Sequence, residues 1–413
     1  MSRVLSLCFL LLVGIIGFLH LDGRPAWAPF AELAPIVIEE SIEQASPSKN
    51  KQPSKPNIAA PMATWLPDTG AASVHAASLI ALKDGAIRAF WFAGSREGAP
   101  DVVINSTVYD PQSANWSAPT IVIDRLSAQS GLSRYIAKLG NPVPSRMADG
   151  RMQLFFVTVS IGGWAGSSIS TMISDDEGLT WGRPQRLISS PFFNLSTLVK
   201  SPALLFADGR LGLPAYHEWI GRFGEFLRIE ATQVIDKRRM SSGRGAIQPV
   251  VFVKDSQTAT ALFRQTRSSE LAKQIPVSQT SDAGQTWQGS DDLLIANPNS
   301  AVAGLTLGNG IRLLALNNIE AGRHRLVLLM KPAQSDQWQV VRVLEDEEAL
   351  PNAQRKEFSY PYLISANGND AHLAYTWDRK KIRHLYFSSE WLMQAYEQLV
   401  QPSSDAQPKK GQP

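Results

Sequence analysis

The sequence contains a single cysteine among 413 residues, and this residue, Cys8, lies within an apolar run at the N-terminus. The rest of the chain has no thiol, which excludes disulfides and cysteine-bound metal from any domain beyond that run. No group of His, Asp and Glu residues has the spacing of metal ligands, so neither a metal nor another cofactor is expected. Lysine and arginine are scattered and the formal net charge is only +3, which argues against nucleic acid as a partner.

A hydrophobic run of full membrane-spanning length is also missing. Residues 4–19 carry no charge but number 16, and a spanning helix needs about 20. Ala26 and Ala28 flank Trp27 in the small-x-small pattern of a cleavage site, so residues 1–28 are predicted to be a signal peptide or an uncleaved membrane anchor. The protein is therefore expected to be exported, either to the periplasm or tethered to a membrane by this segment.

Two further segments are poor in large apolar side chains and rich in Ser, Pro, Lys and Gln. This composition predicts a flexible linker over residues 29–63 and a disordered tail over residues 401–413. Between them, residues 64–400 form one predicted folded domain. Hydrophobic residues make up 44% of the sequence and charged residues 19%, which is enough apolar material for the core of a large domain.

A turn motif repeats through this domain at intervals of 47 to 65 residues. Its six copies are Asp84-Gly85, Asp149-Gly150, Asp208-Gly209, the weaker Asp255-Ser256, Asn309-Gly310 and Asn367-Gly368. Asp-Gly and Asn-Gly pairs supply the positive φ angles of tight hairpins, and apolar segments typical of strands flank each copy. Each interval has room for a four-stranded antiparallel sheet, so six such sheets are predicted.

A second motif keeps phase with the first. Residues 174–181 and 280–287 both fit the pattern S/T-x-D-x-G-x-T-W, the Asp-box, with Asp176 and Asp282 at its centre. Its Asp and Thr can bond to the backbone of a turn while the Trp packs between sheets. Since a single sheet cannot bury both of its faces, the two periodic motifs together predict an all-β protein, a six-bladed β-propeller.

The segments that carry the likeness to a known family are residues 75–80, 90–101, 245–249, 262–267, 322–326 and 358–363. They resemble segments of the exo-α-sialidases (neuraminidases), in particular bacterial sialidase-like proteins with BNR repeats. The resemblance implies a site at the centre of the propeller that binds an acidic sugar. It also implies an acidic proton donor, a tyrosine nucleophile that a glutamate activates, and three arginines that bind the carboxylate of the sugar.

The catalytic positions of the family transfer to four residues of this chain. Asp101, after a loop with Gly and Pro, takes the place of the general acid/base, and Tyr360 takes that of the nucleophile. Gln248 stands where the family has the activating glutamate, and a glutamine cannot accept the proton of a tyrosine. His75 stands where the family has its first arginine; a cationic histidine would still bind a carboxylate.

Three arginines remain for the carboxylate of the sugar. Arg264 resembles the second arginine of the family and Arg323 the third, and Arg96 follows the first-blade strand as an additional candidate. A guanidinium group suits this role because its planar fork matches the two oxygens of a carboxylate.

Three functions follow from these residues. The first is a sialidase-like glycoside hydrolase that acts on an acidic glycan or sialoside. The second is a lyase for uronic-acid polysaccharides, in which His75 and Tyr360 face each other across the centre and exchange protons with the substrate while arginines stabilise the enolate. The third is a propeller that binds glycans without catalysis, because a fold does not fix a function.

Overall fold

The computed structural model describes residues 2–21, 26–31, 60–190, 194–241, 245–267 and 273–400. Strands dominate and form six antiparallel sheets. The first strands of neighbouring sheets contact one another around a closed ring, so the sheets are the blades of a six-bladed β-propeller, as predicted.

Each blade follows the chain from a first strand near the axis to a fourth strand at the periphery. In chain order the strands are Ser73–Ala81, Ile87–Gly94, Val103–Asp110, Asn115–Trp116 and Thr120–Ile123 in blade 1; Lys138–Arg146, Met152–Val159, Ser167–Ser174 and Gln185–Arg186 in blade 2; Leu198–Val199, Leu204–Leu205, Leu211–His217, Phe223–Glu230 and Gln233–Arg239 in blade 3; Ala246–Val253, Ala259–Gln265, Gln274–Thr280 and Gln288–Ala296 in blade 4; Ala303–Thr306, Arg312–Leu316, Arg325–Lys331 and Gln339–Asp346 in blade 5; and Phe358–Ile364, Ala371–Trp377 and Lys381–Phe387 in blade 6.

An N-terminal strand closes the ring. Met62–Trp65 pairs with Lys381–Phe387 and so becomes the fourth strand of blade 6. This pairing joins the beginning of the domain to its end, which leaves no open edge between the first and last blades. The helix Ser389–Val400 follows and packs Leu392 and Ala395 against the apolar cluster of blades 5 and 6.

Six apolar clusters hold the blades together, one between each pair of neighbours. The second strands of blades 1 and 2, Ile87–Gly94 and Met152–Val159, are buried along their whole length because both faces of the sheet are covered. The core is thus a ring of interfaces between sheets, and it holds the first strands around the central channel.

Both sequence motifs lie in the turns that they predict. The six Asp/Asn turns join first to second strands, and the Asp-boxes join third to fourth strands. Asp176 accepts bonds from the amide and hydroxyl of Thr180 at 2.8 and 2.6 Å, and Asp282 accepts the same pair from Thr286 at the same distances. The repeated motif therefore makes a repeated, structural contact.

The linker predicted for residues 29–63 is too long at both ends. Phe30 is buried, pairs with Phe206 through an isolated bridge and stacks on it at a ring distance of 5.3 Å. Trp27, at the predicted cleavage site, is also buried and donates its indole N–H to Asp236 at 3.0 Å. Apolar burial of these two rings between blades 3 and 4 makes residues 27–31 part of the folded body, and the strand from Met62 shortens the linker at its other end.

The first residues form the helix Ser2–Leu21. Within the described ranges, no helix is long and apolar enough to cross a membrane. Most of the predicted linker and all of the predicted tail, residues 401–413, lie outside the described residues.

Candidate active site

The candidate residues gather at the end of the propeller opposite the repeated turns. Strands alternate in direction, so the loops between second and third strands lie at the other end from the Asp/Asn turns and the Asp-boxes. Arg96 and Asp101 lie on this loop in blade 1 and Arg323 on the same loop in blade 5. The end that carries these loops is called the site end below.

The first strands of four blades carry the same irregularity near the site end. Each has a β-bulge that shifts its register with the second strand by one residue, at Ala76, Asn141, Gln248 and Tyr360. These residues have φ angles of 52°, 44°, 51° and 54°, in the left-handed region that non-glycine residues rarely occupy. A bulge re-aims the side chain that it carries, and here three of the four side chains, all but that of Ala76, converge on one cluster.

Gln248 is the centre of that cluster. Its side-chain amide donates to the hydroxyl of Tyr216 at 3.1 Å and to that of Tyr360 at 3.5 Å, while its oxygen accepts from Arg264 Nη1 at 3.3 Å. The same Nη1 lies 3.5 Å from Tyr360 Oη, and Asn141 donates to Tyr216 at 3.4 Å. The structure thus brings together Tyr360 of blade 6 and Gln248 and Arg264 of blade 4.

Arg264 and Arg323 lie on either side of one residue. Arg264 Nε donates to the side chain of Asn299 at 2.7 Å, and Arg323 donates to the backbone oxygen of Asn299 at 3.2 Å. Asn299, with φ 61°, precedes the first strand of blade 5. It holds the two guanidinium groups next to each other, as a site for one carboxylate requires.

A third arginine, which the sequence did not reveal, completes the basic group. Arg379 pairs with Glu357 at 3.3 Å and with Glu97 at 2.6 Å, and Glu357 also pairs with Arg323 at 3.0 Å. Burial opposes ionisation of Glu357, but the hydrogen bond from Ser359 and the two arginine charges outweigh it and hold its pKa at about 2. A carboxylate of the protein itself therefore occupies part of the arginine cluster.

His75 lies beside Tyr360. Their ring centroids are 4.4 Å apart at 57°, so the expectation that they face each other across the centre is wrong; they come from adjacent blades. Burial lowers the pKa of His75 to about 4. The imidazole is consequently uncharged at neutral pH, and the expected cationic histidine is wrong as well. Neither ring nitrogen has a hydrogen-bond partner among the described residues.

Asp101 and Arg96 stand apart from the cluster. The Asp101 carboxylate is exposed and accepts from the hydroxyl and the amide of Ser95 at 2.9 and 2.8 Å. These two hydrogen bonds lower the pKa of Asp101, which favours its ionised form. In the part of the chain that the structure describes, neither residue makes a hydrogen bond or ion pair with Tyr360 or Arg264.

Two titratable residues of blade 3 belong to the site although no family motif marks them. Glu218 follows the strand that carries Tyr216; burial raises its pKa, against the opposing charges of Arg264 and Arg222. Lys200 is buried and donates to the backbone oxygen of Pro361, next to Tyr360, at 2.8 Å. Burial lowers the pKa of Lys200 to about 7. Its sequence signal is weak, since nothing nearby distinguishes it from a surface lysine.

Among the described residues, no group of three or more His, Cys, Asp or Glu side chains is placed to hold a metal ion. The ionisable groups of the site are the phenols of Tyr216 and Tyr360, the guanidinium groups of three arginines, the amine of Lys200 and several carboxyl groups. This set can bind an anion and move protons.

Comparison with known proteins identifies the repeat and the fold. The model of the BNR repeat-like domain family matches residues 85–373. The Hadza microbial sialidase Hz136 superimposes with a TM-score of 0.63 at 13% identity, over 77% of this chain and 66% of that one. A Trypanosoma rangeli sialidase in complex with sialic acid gives 0.60 at 13% identity, over 82% and 58%.

A Penicillium chrysogenum α-L-arabinanase is also similar, with a TM-score of 0.56 at 13% identity over 80% of this chain and 98% of that one. This chain thus spans less than two thirds of the two sialidases and nearly all of the arabinanase. No curated protein matches the sequence. At 13% identity these similarities show a sialidase-like fold and do not show the activity, because one fold can carry many functions.

Proposed function

Because the chain belongs to the BNR repeat-like domain family, we propose that it is a sialidase-like glycoside hydrolase that acts on a glycan carrying an acidic sugar. The single observation that carries this proposal is the contact between Tyr360 Oη and Arg264 Nη1, at 3.5 Å, beside two further arginines. A phenol therefore lies next to a group of arginines that suits a carboxylate. A retaining glycosidase that uses a tyrosine nucleophile on an acidic sugar needs this arrangement.

The arginines orient the substrate. The sugar carboxylate binds Arg264, whose Nη1 otherwise reaches Gln248 and Tyr360 alone among the described residues. It also binds Arg323 and Arg379, which it shares with Glu357. Charge-assisted bonds to a planar guanidinium fix the plane of the carboxylate. The anomeric carbon, which bears that carboxylate in a sialic acid, then lies within reach of the Tyr360 hydroxyl.

In the first step, the oxygen of Tyr360 bonds to the anomeric carbon while the bond to the leaving oxygen breaks and the phenol proton passes to a water molecule. The leaving oxygen takes a proton from a carboxylic acid, and water later cleaves the bond between the sugar and Tyr360. Arg264 and Gln248 both donate to the phenol oxygen and so stabilise negative charge that develops there. Gln248 cannot take the phenol proton, so a lower rate than in an enzyme with a glutamate here is expected.

Two carboxyl groups are candidates for the proton donor. Asp101 holds the position that the family resemblance assigns, but its hydrogen bonds with Ser95 favour the ionised form. Glu218 is more buried and its raised pKa favours the protonated form that an acid catalyst needs. We propose that Asp101 serves this role because it holds the position of the family's acid/base, with Glu218 as the alternative. Substitution of each residue distinguishes the two.

The proposal is tested with aryl α-sialosides and aryl uronides. The wild type should release the aryl alcohol from one of them, Tyr360→Phe should remove nearly all turnover, and Gln248→Glu should raise it by supplying the missing base. Gln248→Asn serves as the control, because it changes the side chain without adding a carboxylate. Hydrolysis that survives in Tyr360→Phe at the wild-type rate would exclude this phenol as nucleophile.

One observation favours the lyase as a second candidate: His75 is uncharged and lies beside Tyr360, and a neutral imidazole can abstract a proton. Release of unsaturated, ultraviolet-absorbing products from a uronate polymer would identify this function. Binding of acidic glycans without any turnover would instead identify a glycan-binding propeller.

We further propose that the protein is exported by its N-terminal segment and works outside the cytoplasm. The burial of Trp27 bears on the cleavage site, since removal of residues 1–28 would take this side chain out of the core. A fusion of residues 1–31 to alkaline phosphatase, which is active only after export, tests the export, and the N-terminal sequence of the mature protein tests the cleavage.

A further inference from the structure

An exposed tryptophan lies on a fixed loop at the border of the site. The loop between the second and third strands of blade 3, residues 218–222, carries Trp219 and Ile220 with 55% and 65% of their surfaces exposed. Exposed large apolar side chains next to each other on a soluble domain commonly mark a contact surface. The indole of Trp219 makes no ring or hydrogen-bond contact with another described residue.

Two side chains, from Ser196 and His217, hold the backbone of this loop. The amides of Glu218 and Trp219 both donate to the hydroxyl of Ser196 at 2.8 Å, and the amide of Ile220 donates to His217 Nε2 at 3.1 Å. Ser196 is fully buried and has a φ of 60°. Three successive amides are thus satisfied by the protein, which keeps the loop in place while the indole stays in solvent. Because the loop is already ordered, a ligand that stacks on the indole loses little conformational entropy on binding.

The loop adjoins the acidic-sugar site on its blade 3 side. Tyr216, three residues before Trp219, bonds to Gln248 at 3.1 Å, and the carboxyl group of Glu218 lies in the field of Arg264. The arginines come from blades 4, 5 and 6, so Trp219 lies to one side of them along the rim.

We propose that Trp219 forms a second subsite, which stacks on the apolar face of the sugar ring joined to the acidic sugar. This inference rests on the proposed function, because it takes the acidic sugar to occupy the arginine cluster. A pyranose ring presents C–H groups on one face, and a rigid aromatic ring with a free face is a suitable partner for them. The protein would then recognise an acidic disaccharide unit rather than an isolated acidic sugar.

The test compares each acidic monosaccharide with its disaccharide or trisaccharide. The probes are N-acetylneuraminic acid with 3′-sialyllactose, and galacturonic acid with trigalacturonate, each titrated calorimetrically into protein that carries Tyr360→Phe to prevent turnover. Trp219→Ala should weaken binding of the longer probe by about five- to tenfold, the size of an aromatic contact, and leave the shorter one within about twofold. Trp219→Phe should restore part of the loss.

Leu179→Ala is the matched control, since Leu179 is 75% exposed on an Asp-box turn at the opposite end; it should change neither affinity. Equal affinity of the Tyr360→Phe protein for both members of each pair, or an equal loss of both affinities when Trp219→Ala is added, overturns the subsite. If the probes bind to the Tyr360→Phe protein but the wild type hydrolyses none of them, the proposed hydrolase fails and the affinity ratio still decides the subsite. Binding of no probe by the Tyr360→Phe protein overturns both.

Discussion

Lys200 gives the sharpest quantitative prediction of the structure. Its side chain is 3% exposed and its amine donates to the backbone oxygen of Pro361; no carboxylate lies within ion-pair distance of it among the described residues. Burial lowers its pKa from the usual 10.5 to about 7. Between these two values the unfolded chain holds a proton that the folded chain does not, so the stability of the fold rises with pH across that window.

The magnitude follows from the size of the shift. Each pKa unit corresponds to about 1.4 kcal/mol, so the buried amine costs roughly 4 kcal/mol at pH 7, about 2 at pH 9 and about 1 at pH 10. Lys200→Met removes this cost, but leaves the oxygen of Pro361 without its donor, a loss of about 1–2 kcal/mol. The variant should therefore be more stable than the wild type by roughly 2–3 kcal/mol at pH 7 and no more stable at pH 10.

Urea unfolding followed by tryptophan fluorescence at several pH values between 7 and 10 measures this difference. Other titrating groups act equally on both proteins and cancel in the subtraction. Lys254→Met, at an exposed lysine, is the control for the loss of one lysine charge. If the difference for Lys200→Met is constant between pH 7 and 10, the amine titrates in the folded protein as it does in the unfolded chain, and the reasoning is refuted.

Three further predictions, made with four substitutions, probe the site and its support. Glu357→Gln should tighten binding of an acidic monosaccharide by about tenfold at low salt, because one carboxylate then no longer competes for two arginines; weaker binding in calorimetry would mean that Glu357 positions them instead. Glu218→Gln and Asp101→Asn should differ on substrates with poor leaving groups, and the variant that loses turnover of these while keeping that of activated aryl glycosides identifies the proton donor. Trp27→Ala should lower the free energy of unfolding by about 3–5 kcal/mol, and an unchanged urea midpoint would place Trp27 outside the core.

The fold could be predicted because it repeats. Six hairpin turns and two Asp-boxes are local signals, each readable within eight residues, and each is repeated at a similar interval. Because the motifs recur, a weak or degenerate copy in one blade does not change the predicted number of blades. The N-terminal boundary had no such support: Trp27 and Phe30 pack on blades 3 and 4, some 180 residues further along the chain, and nothing in the local composition reveals a long-range contact.

The site was only partly predictable, for a related reason. Tyr360, Gln248 and Arg264 were found because the short segments around them resemble motifs of the sialidases. Arg379 and Lys200 were missed because a lone arginine after Asp378 in a turn, or a lone lysine before Ser201, has no motif. The pKa values of Lys200 and His75 depend on burial at the channel, which only the assembled ring determines.

Several features that lower the stability of the fold lie at the site, and their location supports a function there. Tyr360, Gln248 and Asn141 hold left-handed backbone conformations, each of which costs on the order of 1 kcal/mol or more. Lys200 is a buried amine without an ion pair, and His75 has two buried ring nitrogens without partners among the described residues. Packing of the blades requires none of these features, since the six apolar clusters lie between the sheets. These destabilising features lie together at one end of the channel, around two phenols and three arginines. Such a grouping is expected where a protein has been selected for chemistry or recognition rather than for stability.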